Sequence, residues 1–224
     1  ENGVGLKHKH EIVNSGFDIE RFKTADWPAD LERPLDARQG AEKPIVLAML
    51  AALEPRKRRL EMLEALSDVI ASNPQVHLLL AGEGSLKDEI SQRVKTLNIE
   101  SQVQLLGYRS DPEMILAMSD ICLLASGQEG LPRSVLQYVA AGKPVVLFNL
   151  PGVSVVAKND KNAFVIPMDD WSKFGEAVQK LVTDPALRQK MGAATQHVDI
   201  SPWDWREMGS KTDAFYEEVI VDQK

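Results

Sequence analysis

Cysteine and long apolar runs are scarce in this sequence, and each shortage excludes a class of protein. Cys122 is the only cysteine among 224 residues, which excludes a disulfide framework. It lies in the apolar run Ile121–Leu124, which predicts a buried thiol in a strand and argues against a reactive nucleophile. No apolar run approaches the ~20 residues of a membrane-spanning helix, and no secretory leader is recognised. We therefore expect a reducing, cytoplasmic setting.

Signatures of nucleic-acid binding, nucleotide hydrolysis and acyl transfer are also missing. The net charge is −7 without a broad basic patch, which argues against a nucleic-acid partner. Gly142 and Lys143 are followed by Pro144, so they form no phosphate-binding P-loop. Neither Ser126 nor Ser134 stands in the Gly-x-Ser-x-Gly frame of a hydrolase nucleophile. None of these three activities is therefore expected.

The histidines near the start of the chain give the one hint of a metal site. His8 and His10 are close in sequence, but no array of further histidines, cysteines or carboxylates supports a metal ion. Residues 1–43 show no sustained periodicity, and Pro28 and Pro34 favour turns. We therefore interpret this segment as a solvated linker and predict neither a metal nor a cofactor.

From Pro44 onward, predicted strands and helices alternate, which is typical of an α/β doubly wound parallel sheet of the Rossmann-like kind. With 44% hydrophobic residues, the chain can bury the core of one large domain, or of one domain with appendages. The predicted strands are Ile45–Leu50, Val76–Ala81, Val103–Leu106, Ile121–Ala125, Val145–Phe148 and Phe164–Ile166. The predicted helices are Lys57–Ser72, Leu86–Leu97, Pro112–Ser119, Pro132–Ala141, Trp171–Val182, Pro185–His197 and Trp203–Ile220.

The stretch Ser126–Val146 predicts a loop, a helix and a buried strand. Pro132 suits the first helical position, and Gly142 suits the position just past the helix. A helix that begins there leaves free N–H groups and the positive end of its dipole at Gly130–Arg133, which favours an anion such as a diphosphate.

Two hydrogen-bonding side chains flank this predicted anion site. Glu129 comes just before the helix, and Gln137 lies about two turns along it. A carboxylate and an amide in these places suit the hydroxyls of a sugar and a ribose.

A basic run, Arg56–Arg59, follows the first predicted strand and begins a predicted helix. Cations oppose the helix dipole there, which is unfavourable unless an anion lies nearby. We therefore expect an anion near this run, with an exposed basic turn as the alternative.

The stretch around Glu129 resembles the donor-binding half of the family 4 (group 1) glycosyltransferases. Their frame Ser-x-x-Glu-Gly-x-Pro is present from Ser126, and Ala-x-Gly-x-Pro-Val-Val is present from Ala140. The resemblance extends over residues 10–220. It implies the C-terminal domain of the GT-B fold, in which two Rossmann-like domains face each other.

Two positions depart from the family pattern. Gln137 replaces the second glutamate of the signature, and Ala52 replaces the arginine of the frame Arg-Leu-x-Pro-x-Lys, in which Lys57 takes the lysine position. Losing a charge-assisted hydrogen bond to a phosphate costs about 1.5–3 kcal/mol. The cations that can compensate are Arg56, Arg58 and Arg133.

Two turns beyond predicted strands also match the family. Gly82 and Gly84 resemble its Gly-x-Gly turn, although a tight strand-to-helix turn explains them equally well. Tyr108 and Arg109 come where the family recognises the nucleotide base, and either side chain can stack on a base. An exposed loop arginine is the alternative for Arg109.

The resemblance implies retaining transfer of a sugar from a nucleotide sugar, UDP- or GDP-linked, to an acceptor hydroxyl in the synthesis of cell-surface polysaccharides or glycoconjugates. It implies catalytic roles for Glu129 and Lys57. The implied donor-binding residues are Gly130, Leu131, Arg133, Gln137, Arg109, Gly82 and Arg56. No Asp-x-Asp motif for a metal-bound diphosphate occurs, so helix amides and cations would stabilise the leaving diphosphate.

The resemblance also implies a division of the chain into an interdomain linker with an N-terminal extension (1–43), a donor-binding domain (44–200) and a C-terminal crossing helix (201–224). The acceptor glycan or lipid would be bound by an N-terminal domain outside this chain, so we expect the chain alone to be inactive. Peripheral association of the whole enzyme with the inner face of the membrane stays open.

Two other functions remain as alternatives. Ala52 and Gln137 motivate a non-catalytic GT-B-like binding or scaffold subunit that has lost donor binding. A sugar-nucleotide epimerase of the same fold would need further acid–base groups, and the sequence offers none at this site.

Overall fold

The centre of the molecule is a six-stranded sheet in which every pair of neighbouring strands is parallel. The computed structural model describes residues 12–26 and 43–221. The strands are β1 (Ile45–Leu50), β2 (Val76–Ala81), β3 (Val103–Gly107), β4 (Ile121–Leu124), β5 (Val145–Phe148) and β6 (Ala163–Ile166). Their order across the sheet is β3-β2-β1-β4-β5-β6. This is the order of Rossmann dinucleotide-binding sheets, and it confirms the predicted fold class.

Helices connect and flank the strands. They are α1 (Ile19–Lys23), α2 (Arg59–Ser72), α3 (Lys87–Thr96), α4 (Pro112–Met118), α5 (Arg133–Ala140), α6 (Trp171–Thr183), α7 (Pro185–Thr195) and α8 (Trp205–Val221). Short 3-10 turns span Pro55–Lys57, Val153–Val155 and Ser201–Trp203. The predicted strands β1, β2 and β5 agree with the structure to the residue, because continuous apolar runs bounded by turn residues mark buried parallel strands.

Two helices at the predicted site begin later than predicted. Helix α2 begins at Arg59, because Arg58 adopts a left-handed backbone conformation (φ 51°) that separates the helix from the preceding 3-10 turn. Helix α5 begins at Arg133, because Pro132 is extended (φ −67°, ψ 126°) and takes the capping position. Gly142, with φ 72°, directly follows the cap of α5 as predicted.

The core lies on both faces of the sheet. In β1, Leu47 and Met49 pack into the larger apolar cluster, while Val46 and Ala48 pack on the opposite face with Ile115 of α4. This alternation follows from the two-residue period of a strand. Cys122 is completely buried in β4, which confirms the predicted structural thiol.

The segment before β1 holds a helix that the sequence analysis does not predict. Asp18 caps α1 by accepting a hydrogen bond from the Arg21 amide at 3.3 Å, and five residues are too short to show a helical period. Phe17, Ile19 and Phe22 are buried in the core. The predicted domain boundaries remain predictions, and His8, His10, Pro28 and Pro34 lie outside the described residues.

Candidate functional site

A cleft of about 460 Å³ opens where the strand order reverses between β1 and β4. Ligands of open α/β sheets bind in crevices of this kind, at the carboxyl ends of the strands. We call it the switch-point cleft. It is lined by Leu50, Ala51, Ala52, Lys57, Ala81, Gly82, Glu83, Tyr108, Arg109, Pro112, Glu129, Pro132, Arg133, Ser134 and Gln137.

The two residues predicted to be catalytic meet in this cleft. The Lys57 Nζ donates a hydrogen bond to Glu129 Oε1, although 72 residues separate them in sequence. Arg56 Nη1 also contacts Glu129 Oε1, at 3.3 Å, while its Nε binds Glu54. The side chains of Lys57 and Glu129 are only 10% and 13% exposed, so their charges are poorly screened by solvent.

The amino-terminal end of α5 forms one wall of the cleft. Pro132, Arg133, Ser134 and Gln137 line it, whereas Gly130 and Leu131 lie just before the helix and are not part of the lining. Within the described part of the chain, the amides of Gly130 and Leu131 donate no hydrogen bond. The first N–H groups of a helix also lack partners within the helix, so this wall offers donors and a positive dipole end to an anion.

The side chain of Arg133 lines the cleft and also reaches the N-terminal segment. Its Nη2 donates to the carbonyl oxygen of Gly16 at 3.1 Å. The backbone of the next residue, Phe17, pairs with Trp203 and Trp205. Arg133 thus connects the α5 wall of the cleft to the place where the N-terminal segment meets the start of α8.

The rim of the cleft carries an exposed aromatic ring and a paired arginine. Tyr108 is 71% exposed. Arg109 makes a two-pronged contact with Asp111, with Nε–Oδ1 at 2.8 Å and Nη2–Oδ2 at 2.6 Å. This hydrogen bonding lowers the pKa of Asp111. Both rim residues are available for stacking, so the two alternatives of the sequence analysis stay open.

Gly82 lies at the floor of the cleft, where a larger residue does not fit. Its φ is 138°, and a Cβ atom there would come within 1.8 Å of the Ala51 carbonyl oxygen. The Gly82 amide donates to the Gly107 carbonyl at 2.7 Å. This glycine therefore allows the ends of β1, β2 and β3 to lie close together beneath the cleft.

Two buried polar residues beneath the cleft were not predicted as functional. The Tyr138 hydroxyl accepts from the Leu50 amide at 2.8 Å and donates to the Leu123 carbonyl at 3.3 Å. It therefore fixes the end of β1 against β4, and burial raises the Tyr138 pKa.

Arg59, the first residue of α2, is the second such residue. It is 0% exposed, and its Nη2 donates to the carbonyl oxygens of Ala51 and Ala81. Burial lowers its pKa to about 10. A signal was present in the sequence, because Arg59 shares a helical spacing with Leu63, Leu66 and Ile70 and therefore lies on the apolar face of α2.

A second cavity, of about 660 Å³, lies between α1, the end of α5 and the chain after α7. It is larger than the switch-point cleft, but none of the predicted site residues lines it. Among residues 12–26 and 43–221, no group of three metal-ligating side chains comes together. No helix in the same residues is both long and apolar enough to cross a membrane.

The sheet order and its switch-point cleft define a Rossmann-like α/β domain. Residues 33–198 match the sequence profile of the family described as glycosyl transferases group 1. The chain therefore belongs to the group 1 glycosyltransferases.

Relatives with curated names include two bacterial transferases. UDP-Gal:alpha-D-GlcNAc-diphosphoundecaprenol alpha-1,3-galactosyltransferase of Escherichia coli is 30% identical over 183 residues, covering 80% of this chain and 46% of that protein. A GDP-mannose-dependent monoacylated alpha-(1-6)-phosphatidylinositol monomannoside mannosyltransferase of Corynebacterium glutamicum is 29% identical over 221 residues. This alignment covers 94% of this chain and 57% of that protein. The chain thus spans about half the length of the curated relatives it matches.

The fold is shared with solved GT-B glycosyltransferases. HepE of Anabaena, solved in complex with UDP and glucose, superimposes with a TM-score of 0.78 at 21% identity. The alignment covers 92% of this chain and 56% of HepE.

Proposed function

We propose that this chain binds the nucleotide-sugar donor of a group 1 glycosyltransferase in the switch-point cleft and presents it for retaining transfer to an acceptor hydroxyl. The observation that carries this proposal is the meeting of Lys57 and Glu129 beside the amino-terminal end of α5. A cation and unused amides suit a diphosphate. The relatives are named for UDP-Gal and GDP-mannose, which supports a nucleotide sugar and leaves the base open.

Each part of the donor has a chemical counterpart in the cleft. Lys57 and the amides of the first turn of α5 would hold the diphosphate. Glu129 would accept hydrogen bonds from sugar hydroxyls, and the Gln137 carbonyl would accept from the ribose. Tyr108 or Arg109 would stack on the base.

Electrostatic stabilisation of the leaving group would then drive transfer. As the bond between the anomeric carbon and the diphosphate oxygen breaks, negative charge grows on that oxygen. Once the donor is bound, Lys57 and the α5 amides would already face the diphosphate, so they would stabilise this charge without further reorganisation.

The contact between Lys57 and Glu129 has to change when the donor binds. In this structure the ammonium group is paired with the carboxylate. A diphosphate carries more negative charge and competes for Lys57. Glu129 is then released to accept hydrogen bonds from the sugar, which couples recognition of the two halves of the donor.

We also propose that a second domain outside these residues binds the acceptor, a glycan or lipid of the cell surface. This chain covers 46% of the E. coli relative and 57% of the C. glutamicum relative, which supports a whole protein made of two domains of similar size. The name of the E. coli relative includes a diphosphoundecaprenol-linked sugar, which supports a lipid-linked acceptor. The chain alone is expected to have negligible turnover, because closure of two domains aligns the substrates and expels water.

A titration monitored by thermal unfolding tests donor binding. A ligand at 100 times its dissociation constant stabilises the folded state by ~2.7 kcal/mol. We expect a shift in Tm with at least one of UDP-, GDP- or ADP-sugars. Free sugars without a nucleotide serve as the control and should leave Tm unchanged.

The alternative function is a scaffold subunit that has lost donor binding. It is favoured by Ala52, which lines the cleft where the family pattern has an arginine. No shift in Tm with any of these nucleotide sugars would support the scaffold and reject donor binding.

A further inference from the structure

The basic run Arg56–Arg59 contains one cation that differs from the other three. The first three residues each contact a carboxylate, and these partners are Glu54, Glu129 and Asp169. Arg59 contacts no carboxylate in the described part of the chain, although it is the most deeply buried of the four. No carboxylate among the described residues therefore compensates its charge, and the buried Tyr138 that interacts with it is neutral at pH 7.

The guanidinium of Arg59 lies directly beneath the switch-point cleft. Its Nη2 donates to the carbonyl oxygens of Ala51 and Ala81, the latter at 3.0 Å. Both of these residues line the cleft. Nε and Nη1 of Arg59 are also buried, and neither has a hydrogen-bond partner among the described residues.

This placement is unfavourable for the stability of the folded protein. A buried ion loses its hydration, and without a counter-charge this loss is not offset. Arg59 is also the first residue of α2, where the helix dipole repels a cation. Burial lowers its pKa only to about 10, so the guanidinium stays charged at neutral pH. A methionine would fill the same volume without these penalties.

The same placement is favourable for an anion in the cleft. The carboxyl ends of parallel strands direct carbonyl oxygens toward the cleft, and their partial negative charge repels a phosphate. Arg59 engages two of these oxygens from the protein side. Its charge also adds positive potential through a layer that excludes water, where screening is weak.

We propose that Arg59 is a positioning residue for the diphosphate of the donor, acting from beneath the cleft through the Ala51 and Ala81 carbonyl groups. The family pattern has an arginine at position 52, where this chain has the neutral Ala52. Arg59 supplies that positive charge from beneath the cleft instead. The proposal rests on the proposed function, because it assigns Arg59 to the diphosphate part of the same site.

Substitutions that separate the charge of Arg59 from its volume test this role. Arg59→Met keeps the volume and removes the charge, Arg59→Gln keeps an amide donor for the carbonyl oxygens, and Arg59→Lys keeps the charge. Calorimetric titration of the 224-residue chain with inorganic pyrophosphate, with UDP, GDP and ADP, and with the corresponding nucleosides measures each affinity.

We expect the neutral variants to bind pyrophosphate and the preferred nucleoside diphosphate about tenfold more weakly, a change of about 1.4 kcal/mol in binding free energy. Nucleoside affinity should not change, and Arg59→Lys should restore most of the loss. The Tm of ligand-free Arg59→Met should stay the same or rise, since an unpaired buried ion is removed. A merely structural arginine would instead lower Tm and weaken nucleoside and diphosphate binding alike.

The outcomes distinguish the two proposals. If the unsubstituted chain binds pyrophosphate or a nucleoside diphosphate and both neutral variants bind it equally well, the role of Arg59 is rejected and donor binding stands. If the unsubstituted chain binds none of these ligands, donor binding itself is rejected. Arg59→Gln keeps the test decisive should Arg59→Met fail to fold.

Discussion

Lys57 donates a hydrogen bond to Glu129 across the switch-point cleft, and this contact joins the 3-10 turn before α2 to the loop before α5. Both side chains are largely shielded from solvent. The cationic Lys57 and the anionic Glu129 thus lie side by side, where the donor's diphosphate and its sugar would both have to be bound. Exchanging either member should therefore change the affinity for one part of the donor more than for the other.

Removing the cation should weaken binding of the diphosphate. Lys57→Gln loses a charge-assisted hydrogen bond, which is worth about 1.5–3 kcal/mol, or roughly 10- to 150-fold in affinity. Calorimetric titration with inorganic pyrophosphate measures the loss. Lys95→Gln, an exposed position on α3, is the matched control and should bind normally. Equal affinities of the two variants would contradict the assignment of Lys57.

Removing the carboxylate should have the opposite effect on the same probe. Glu129→Gln removes an anion that competes for Lys57, so pyrophosphate should bind at least several-fold more tightly, because this largely buried pair is poorly screened by solvent. The preference for a nucleotide sugar over its nucleoside diphosphate should fall. Both affinities are measured by competition titration, with Glu61→Gln on the exposed face of α2 as control. Weaker pyrophosphate binding would show that Glu129 does not oppose the anion.

Restoring an arginine at the family position should strengthen donor binding. Ala52 lines the cleft, so Ala52→Arg introduces a cation beside Lys57. We expect affinity for a nucleoside diphosphate to rise about tenfold, the value of a hydrogen bond to a charged group. Ala52→Gln adds a long neutral side chain and therefore shows how much of the change in affinity comes from side-chain volume rather than from charge. A loss of affinity in both variants would indicate that the cleft has no room at this position.

Replacing the glycine at the floor of the cleft should destabilise the domain. Gly82→Ala forces an L-residue into φ 138° and a Cβ against the Ala51 carbonyl oxygen. Backbone strain of this kind costs about 1–3 kcal/mol, and the close contact adds to it. Urea unfolding measures the change in the free energy of unfolding.

The control for this substitution is a glycine without either constraint. Gly209 lies inside α8, and a Cβ there would meet no atom within 4 Å. Gly209→Ala should raise the free energy of unfolding by ~0.5–1 kcal/mol, because alanine loses less conformational freedom in a helix. An unchanged free energy of unfolding in Gly82→Ala would mean that the backbone at Gly82 relaxes readily.

Local sequence patterns were sufficient to predict most of the fold. The apolar runs of β1, β2 and β5 and the turn residues that bound them predict those strands to the residue. Helix α1 was missed because a five-residue helix shows no period. The late starts of α2 and α5 depend on backbone angles at Arg58 and Pro132, which residue type alone does not set.

Short-range periodicity and local motifs were enough to predict the alternation of strands and helices and to identify the family. The pairing of Lys57 with Glu129, the link from β1 to β4 through Tyr138, and the burial of Arg59 beneath the cleft without a carboxylate partner among the described residues emerge only in the folded structure. These contacts form because the strand order places β4 beside β1. Charges and hydroxyl groups far apart in the chain meet only when the sheet has formed, and their burial then sets how strongly they interact.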